Sequence, residues 1–421
     1  MAGDTSVEPI RRSHRFIMDS YERLRAEVRK LSDDAGPDWE KRLNQWVQFV
    51  EDQVRAIFLE VSSESDAFLI FETLNDRGAD LTIADLLKNY LFGRAGSKLD
   101  VVRDAWMQSL GTLEISAENV LFTTFLRHYW SSYYGAVRER DLYRSIKEHV
   151  TTEINAVDFA EDLQKAANMY AAILHGDHDY WTEMGTSAKE NIETLLRLNL
   201  EQNRPLILAA LQHFPQAEVR KLIRSIVTWS VRGLIVGGIG GGKTERTYCE
   251  AAVKIRKGDV KTTDELFQEI SRIVPSDDEF QSAFALARVP RSTLARYYLV
   301  ALEKGIQGEL EPELVPNENE EQVNIEHILP QRATEEDWGA HFAEDERGDY
   351  IYRLGNMALL KKGPNGRIGN KAFSEKKPVL MSSSFELTKQ VATETDWTPE
   401  AIKNRQAGLA KLAVSVWPRM S

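Results

Sequence analysis

Cysteine is all but missing from this chain. Among 421 residues there is one, Cys249, which excludes an internal disulfide framework and fits a reducing cytoplasm, the expected location. Long hydrophobic runs are missing as well. No stretch approaches the ~20 apolar residues of a membrane span, and no charged-then-apolar signal opens the chain, so a membrane role is not expected. Nor is there an excess of positive charge: 65 acidic residues outnumber 53 basic ones, for a net charge of −12. The surface as a whole therefore cannot attract nucleic acid, and any such contact has to be made by basic residues gathered locally.

What is present is mostly helical periodicity. The length and the 42% of hydrophobic residues are enough for two or three domains, each with its own core. From Ser13 to about Ser32 the residues Ile17, Met18, Tyr21, Leu24, Val28 and Leu31 recur at helical spacing. A turn at Gly36-Pro37 opens a second helical stretch with Trp39, Leu43, Trp46, Val47 and Phe49. Val54 to Val61 is β-branched and partly alternating and reads as a strand. The run from Ala67 through Phe71-Glu72-Thr73-Leu74-Asn75-Asp76-Arg77 reads as an amphipathic helix stopped at Gly78, and Thr82 with Asp85 caps the next one.

From about residue 100 to 315 helix follows helix. The predicted segments include Ala117 to Tyr134, Phe159 to Leu174, Asn191 to Asn199, Leu206 to Phe214, Ala217 to Val236, Glu245 to Arg256, Thr263 to Ile273 and Arg291 to Glu303. No fixed repeat period runs through them, so they read as one all-α domain. The acidic, Pro-containing stretch Gly308 to Glu321 reads as a linker.

Three patterns in this region invite a functional reading and are better explained otherwise. Gly237 to Thr244 matches the phosphate-binding loop letter for letter, with Lys243 as its lysine. Such a loop needs a strand before it, whereas Ser225 to Arg232 continues a helical pattern, so a flexible connection between helices is expected. His175-Gly176-Asp177-His178-Asp179 has metal-ligand residue types but no second ligand pair, and reads as a solvated turn. His128-Tyr129-Trp130 with Tyr133-Tyr134 could stack bases, but aromatics on a helix usually pack inward.

The most informative stretch lies later. It is Asn324-Ile325-Glu326-His327-Ile328-Leu329-Pro330-Gln331, continued by Leu354-Gly355-Asn356-Met357-Ala358-Leu359-Leu360 and by Asn365 in a Gly/Pro loop. Val323 to Leu329 reads as a strand that turns at Pro330. Strand neighbours point to opposite faces, so Glu326 and His327 need a local kink to converge on one site. Between Arg353 and Lys377 the chain gathers Arg353, Lys361, Lys362, Arg367, Lys371, Lys376 and Lys377 against a single Glu375. In an acidic protein that island is where a phosphate backbone would lie.

The order Glu-His, then Asn, then Asn resembles the HNH, or ββα-metal, nuclease module. The flanks resemble one family throughout: the Ile-Glu-His-Ile-Leu-Pro-Gln run, Trp338, Arg353-Leu-Gly-Asn-Met-Ala-Leu-Leu, then Asn365 through Gly369-Asn370-Lys371-Ala372-Phe373 to Lys376, and Arg405 before Trp417-Pro418. Together they look like the nuclease domain of the GmrSD-type, modification-dependent restriction endonucleases, a group that includes SspE-like phage-defence nucleases. The Phe-Glu-x-Leu-Asn-x-Arg-Gly run at residues 71–78 is similar to a signature of that family's N-terminal, nucleotide-linked half. The family's upstream Asp-Gly-Gln-Gln-Arg motif has no counterpart before residue 53. A separate nucleotide-binding segment or subunit is therefore an expected partner.

By this resemblance the fold is mainly α, with helical N-terminal and middle regions followed by a small α+β nuclease domain. The expected boundaries are 1–95, 96–315 and 316–421. The resemblance implies His327 as general base, Asn356 as the residue that holds the loop and orients His327, and Glu326 and Asn365 as metal ligands. Asn370 could replace Asn365 in that role. Oxygen ligands of this kind suit Mg²⁺ or Mn²⁺ rather than zinc. Arg353, Lys361, Lys362, Arg367, Asn370 and Lys376 are expected to meet double-stranded DNA, modified or foreign. The implied activity is metal-dependent cutting or nicking within a bacterial restriction or anti-phage system. Two alternatives stand beside it: a non-catalytic DNA-binding or regulatory subunit, and a nucleotidase centred on Lys243.

Overall fold

The computed structural model describes residues 12–54, 82–116, 122–237, 241–308, 323–361 and 368–420. The protein is mainly α, and the described residues contain one sheet, of two strands. Contacts divide the chain into two compact units. One comprises residues 1–185, 204–213 and 252–257, and the other 186–203, 214–251 and 258–421. Segments distant in sequence join the same unit.

The first unit begins with a helical hairpin, Arg12–Ala35 and Trp39–Gln53, joined by a short 3-10 turn with Pro37 at its start. Proline is tolerated there because its missing N–H would have had no helical partner. Ile17, Tyr21, Leu24 and Trp46 of the hairpin are exposed. Beyond it, Thr82 caps the Ile83–Arg94 helix by accepting from the Asp85 N–H, and the helices Leu99–Ser116 and Glu153–Leu174 form the main pair. Leu91, Val102, Trp106, Phe125, Leu163 and Tyr170 are buried in this unit.

The aromatic helix Phe122–Tyr134 packs inward. Its Tyr129 and Tyr133 hydroxyls both donate to Asp162, at 2.8 and 2.5 Å, and the Arg256 guanidinium lies 3.6 Å from the centre of the Tyr133 ring. His178 is no ligand in a metal cluster: its Nδ1 accepts from the Tyr180 N–H and so caps the Asp179–Met184 helix. Among the described residues no cluster of three or more His, Cys, Asp or Glu side chains could hold a metal, and no helix is long and apolar enough to cross a membrane.

In the second unit a helix, Gln216–Val236, leads into the Gly-rich stretch, and Gly237 ends it in the left-handed conformation that glycine adopts without strain. Residues 238–240 lie outside the described part, and the next helix runs Gly242–Lys257. A helix where a phosphate-binding loop needs a strand removes the structural basis for that motif. Two capping boxes, Thr262 with Glu265 and Ser276 with Glu279, start the helices Thr263–Ile270 and Asp277–Phe284. The helix Pro399–Val416, capped by Thr398, packs on both Asp277–Phe284 and Ser292–Gln307. Arg232, fully buried, ties this assembly together by donating to the Trp417 and Pro275 carbonyls and to Asp277.

The sheet sits among these helices. Strand β1 (Val323–His327) runs antiparallel to β2 (Met357–Lys361), with Glu326 opposite Ala358 and His327 opposite Met357. Ile328, Leu329, Trp338, Phe342, Leu360, Leu380, Trp397 and Ile402 form the apolar core beside it. The strand expected to reach Leu329 ends at His327, because Ile328 and Leu329 turn away to bond Asn356. The strand read over 54–61, the Ala67–Gly78 helix and the 309–321 linker fall outside the described residues, apart from Val54, which ends the hairpin.

Candidate active site

The site grows from one turn, Leu354–Asn356, which is a single 3-10 turn leading directly into β2. Its backbone is held from the C-terminal helix. Arg405 Nη1 donates to the carbonyls of Leu354, Gly355 and Met357 at 3.2, 2.7 and 2.9 Å. The Gly355 N–H donates to Gln406 Oε1 at 3.2 Å, and Gln406 Nε2 donates in turn to the Phe284 and Ala287 carbonyls. Gly355 is required by space rather than by backbone angle, since a Cβ there would collide with the Ile402 carbonyl.

Asn356 transmits this placement to β1. It is fully buried. Its Oδ1 accepts from the Leu329 N–H at 2.8 Å and from Trp397 Nε1 at 2.9 Å, while its Nδ2 donates to the carbonyls of Leu329 and Ile351 at 2.9 and 3.2 Å. Its backbone carbonyl accepts from the Ile328 N–H at 2.9 Å. With both lone pairs and both amide hydrogens engaged, the side chain has nothing left for a metal or a phosphate. What it holds is the turn immediately after His327.

His327 closes β1. Its ring meets the Tyr352 ring edge-on at 6.0 Å, and its Nε2 is buried with no hydrogen-bond partner. Burial lowers its pKa to about 4, with the Lys376 charge adding in the same direction, so the imidazole is neutral at pH 7. A neutral ring with an uncommitted nitrogen can take a proton.

Glu326, next along the strand, is buried at 6% exposure, where a lone carboxylate would be costly. Lys376 supplies the compensating charge. From the helix Phe373–Met381 its Nζ donates to Glu326 Oε1 at 2.5 Å and to the His327 carbonyl at 2.9 Å. Burial pushes the Glu326 carboxyl up and the Lys376 ammonium down, and their mutual attraction works against both shifts. The two strand neighbours are thus joined through one buried cation.

This corrects the expectation for Lys376. It cannot contact DNA as an exposed residue would, because its exposure is 0%. The signal was present in the sequence, since Phe373, Lys376 and Leu380 recur at helical spacing and all three are buried. Lys377, one residue on, points away and donates to the Glu394 carbonyl.

The other described residues of the basic island are dispersed. Lys361 is exposed at the far end of β2, opposite Val323, which places it about 13 Å along the strand from the His327–Met357 pair. Arg353 is half-buried, donating to the Asp349 carbonyl and lying 5.5 Å from the Tyr350 ring centre. Asn370 is exposed beside Gly369. Lys362, Asn365 and Arg367 fall outside the described residues. Sequence reasoning did not find the supports: Gln406, Trp397 and Glu303, whose buried carboxylate accepts from the Glu386 and Leu387 N–H groups. Nothing but the tertiary contact marks them.

Residues 274–412 match the family described as GmrSD restriction endonucleases, C-terminal domain. That part of the chain is similar to the C-terminal domain of GmrSD-type restriction endonucleases. The match starts upstream of residue 316, just before the Asp277–Phe284 helix whose end bonds Gln406, so it takes in the helices that brace the sheet as well as the sheet. No curated protein matches the chain.

Proposed function

We propose that this protein is a metal-dependent DNA endonuclease of a bacterial modification-dependent restriction or anti-phage system, with His327 as the general base. The single observation that carries this reading is His327 itself: neutral at pH 7, held by β1 and the Asn356-braced turn, and with Nε2 uncommitted. In the proposed reaction Nε2 takes a proton from water as that water attacks a backbone phosphate. Asn356 acts from behind, by fixing the turn that sets the direction of the ring.

The donor types fit Mg²⁺ or Mn²⁺. Glu326 offers a hard carboxylate whose Oε1 is taken by Lys376, and Asn365 or Asn370 would add an amide oxygen. When bound, the ion would neutralise charge developing on the phosphate and leaving oxygen. Arg353, Lys361, Lys362, Arg367 and Asn370 would meet the flanking backbone of double-stranded, modified or foreign DNA. A separate N-terminal nucleotide-binding segment or subunit would couple nucleotide to cutting.

Nicking of supercoiled plasmid with Mn²⁺, by wild type and His327→Ala, tests the reading. Nicking that depends on metal and vanishes in the variant is expected. DNA binding that is indifferent to both metal and His327 would instead make this a non-catalytic DNA-binding subunit.

A further inference from the structure

We propose that Lys376 is a positioning residue with a second effect: it aligns Glu326 and the His327 peptide, and its charge keeps divalent metal off Glu326 until a phosphate backbone is present. The inference rests on the proposed role of Glu326 as a metal ligand.

Lys376 is built into the site rather than placed near it. Its side chain is 0% exposed, on the buried face of its helix with Phe373 and Leu380, and its two acceptors belong to successive residues of β1. An ammonium spanning Glu326 and the His327 carbonyl fixes how these neighbours lie, which a strand by itself would leave on opposite faces. A fixed internal cation also has an electrostatic consequence. A divalent ion at the same carboxylate would share it with a positive charge already in contact, in an interior where screening is weak. With Lys376 on its Oε1, the Glu326 carboxylate belongs to a pair that carries no net negative charge to offer a second cation. The missing negative charge is what a DNA phosphate brings, so metal and DNA are each expected to strengthen binding of the other.

The test measures Mn²⁺ affinity of the full chain by titration calorimetry without DNA. Neutral Lys376→Gln and Lys376→Met are expected to bind Mn²⁺ at least tenfold more tightly than wild type, even though nicking falls. Lys376→Arg, which keeps the charge, is expected to stay within about threefold of wild type. A lysine with a merely structural role would weaken metal binding when removed, never strengthen it. Lys376→Gln keeps a hydrogen-bond donor for Glu326 and stands in should Lys376→Met fail to fold.

Folded neutral variants that bind Mn²⁺ no more tightly than wild type would overturn the inference. Adding Glu326→Gln to Lys376→Gln separates the two levels. If the gain vanishes in the double variant, both stand. If wild type binds Mn²⁺ and loses it in Glu326→Gln while Lys376→Gln changes nothing, the metal reading survives and this one fails. If no variant binds Mn²⁺, the metal reading itself fails and takes this one with it.

Discussion

Two histidines, one in each compact unit, have the same electrostatic history and opposite surroundings. His128 is fully buried in the first unit, with Nδ1 at 2.6 Å from the Tyr170 hydroxyl and Nε2 at 3.1 Å from Arg127. His327, in the second, is half-buried and its Nε2 has no partner. Burial lowers the pKa of both. A depressed pKa therefore does not by itself separate a histidine with a nitrogen free to take a proton from one whose nitrogens are both engaged. What separates them is an uncommitted nitrogen beside a buried carboxylate, next to a turn that Asn356 holds.

The largest expected effect breaks the comparison outright. His327→Ala is expected to lower nicking by at least 100-fold, in the range for loss of a general base. His128→Phe is expected to leave nicking per folded molecule within about twofold while lowering the unfolding midpoint, since it removes the buried hydrogen bond between His128 and the Tyr170 hydroxyl. Comparable losses of nicking in both variants, at equal folded fraction, would end the distinction.

A second prediction concerns pH and the metal-free chain. The folded-state pKa of His327 is about 4, below the ordinary 6.5. Above pH 6.5 the ring is neutral whether the chain is folded or not, and its contribution is complete. As pH falls from 6.5 towards 4 the unfolded chain takes up the proton first, so stability is lost across that window, by at most about 3 kcal/mol. His128 has the same sign. Denaturant titrations of His327→Gln from pH 7 to pH 4 are expected to show a shallower decline than wild type, and parallel curves would contradict the assigned shift.

Asn356→Ala sharpens the comparison from the supporting side. It leaves the Leu329 N–H and Trp397 Nε1 without their acceptor in a buried setting, and is expected to cost about 2 kcal/mol. Because the turn after His327 would loosen, nicking should fall further than the folded fraction does. The smallest effect belongs to the surface. Lys361→Ala with Lys362→Ala is expected to reduce the salt slope of DNA binding by about 2, near 0.9 for each phosphate no longer neutralised. An unchanged slope would take these two lysines out of the interface.

The basic island shows where linear reading stopped. Seven cations against one glutamate in residues 353–377 looks like a single patch. Folded, Lys376 is an internal counterion, Lys377 bonds a backbone carbonyl, Lys371, just before the helix, pairs with Glu375 at 3.4 Å, and Lys361 stands at the far end of a strand. Summed charge is a property of composition, whereas its direction depends on which helical face each residue occupies. The glycine-rich loop carries the same lesson in reverse, since its letters fit a phosphate cradle and the Gln216–Val236 helix before it does not.

By itself, the sequence determined the mainly helical character, the positions of many helices, the strand that ends at His327 and the place of Glu326, His327 and Asn356 along the chain. Each of these is a local matter, fixed by hydrophobic periodicity, caps and turn residues within a few positions. Only the tertiary structure decided that residues 204–213 and 252–257 join the first unit, that Gln406 and Arg405 brace a turn some fifty residues away, and that Lys376 answers the charge of Glu326. Those outcomes depend on burial, because a charge or an unpaired amide becomes expensive only after the chain has closed over it, and its partner is then whichever group the fold has brought within reach.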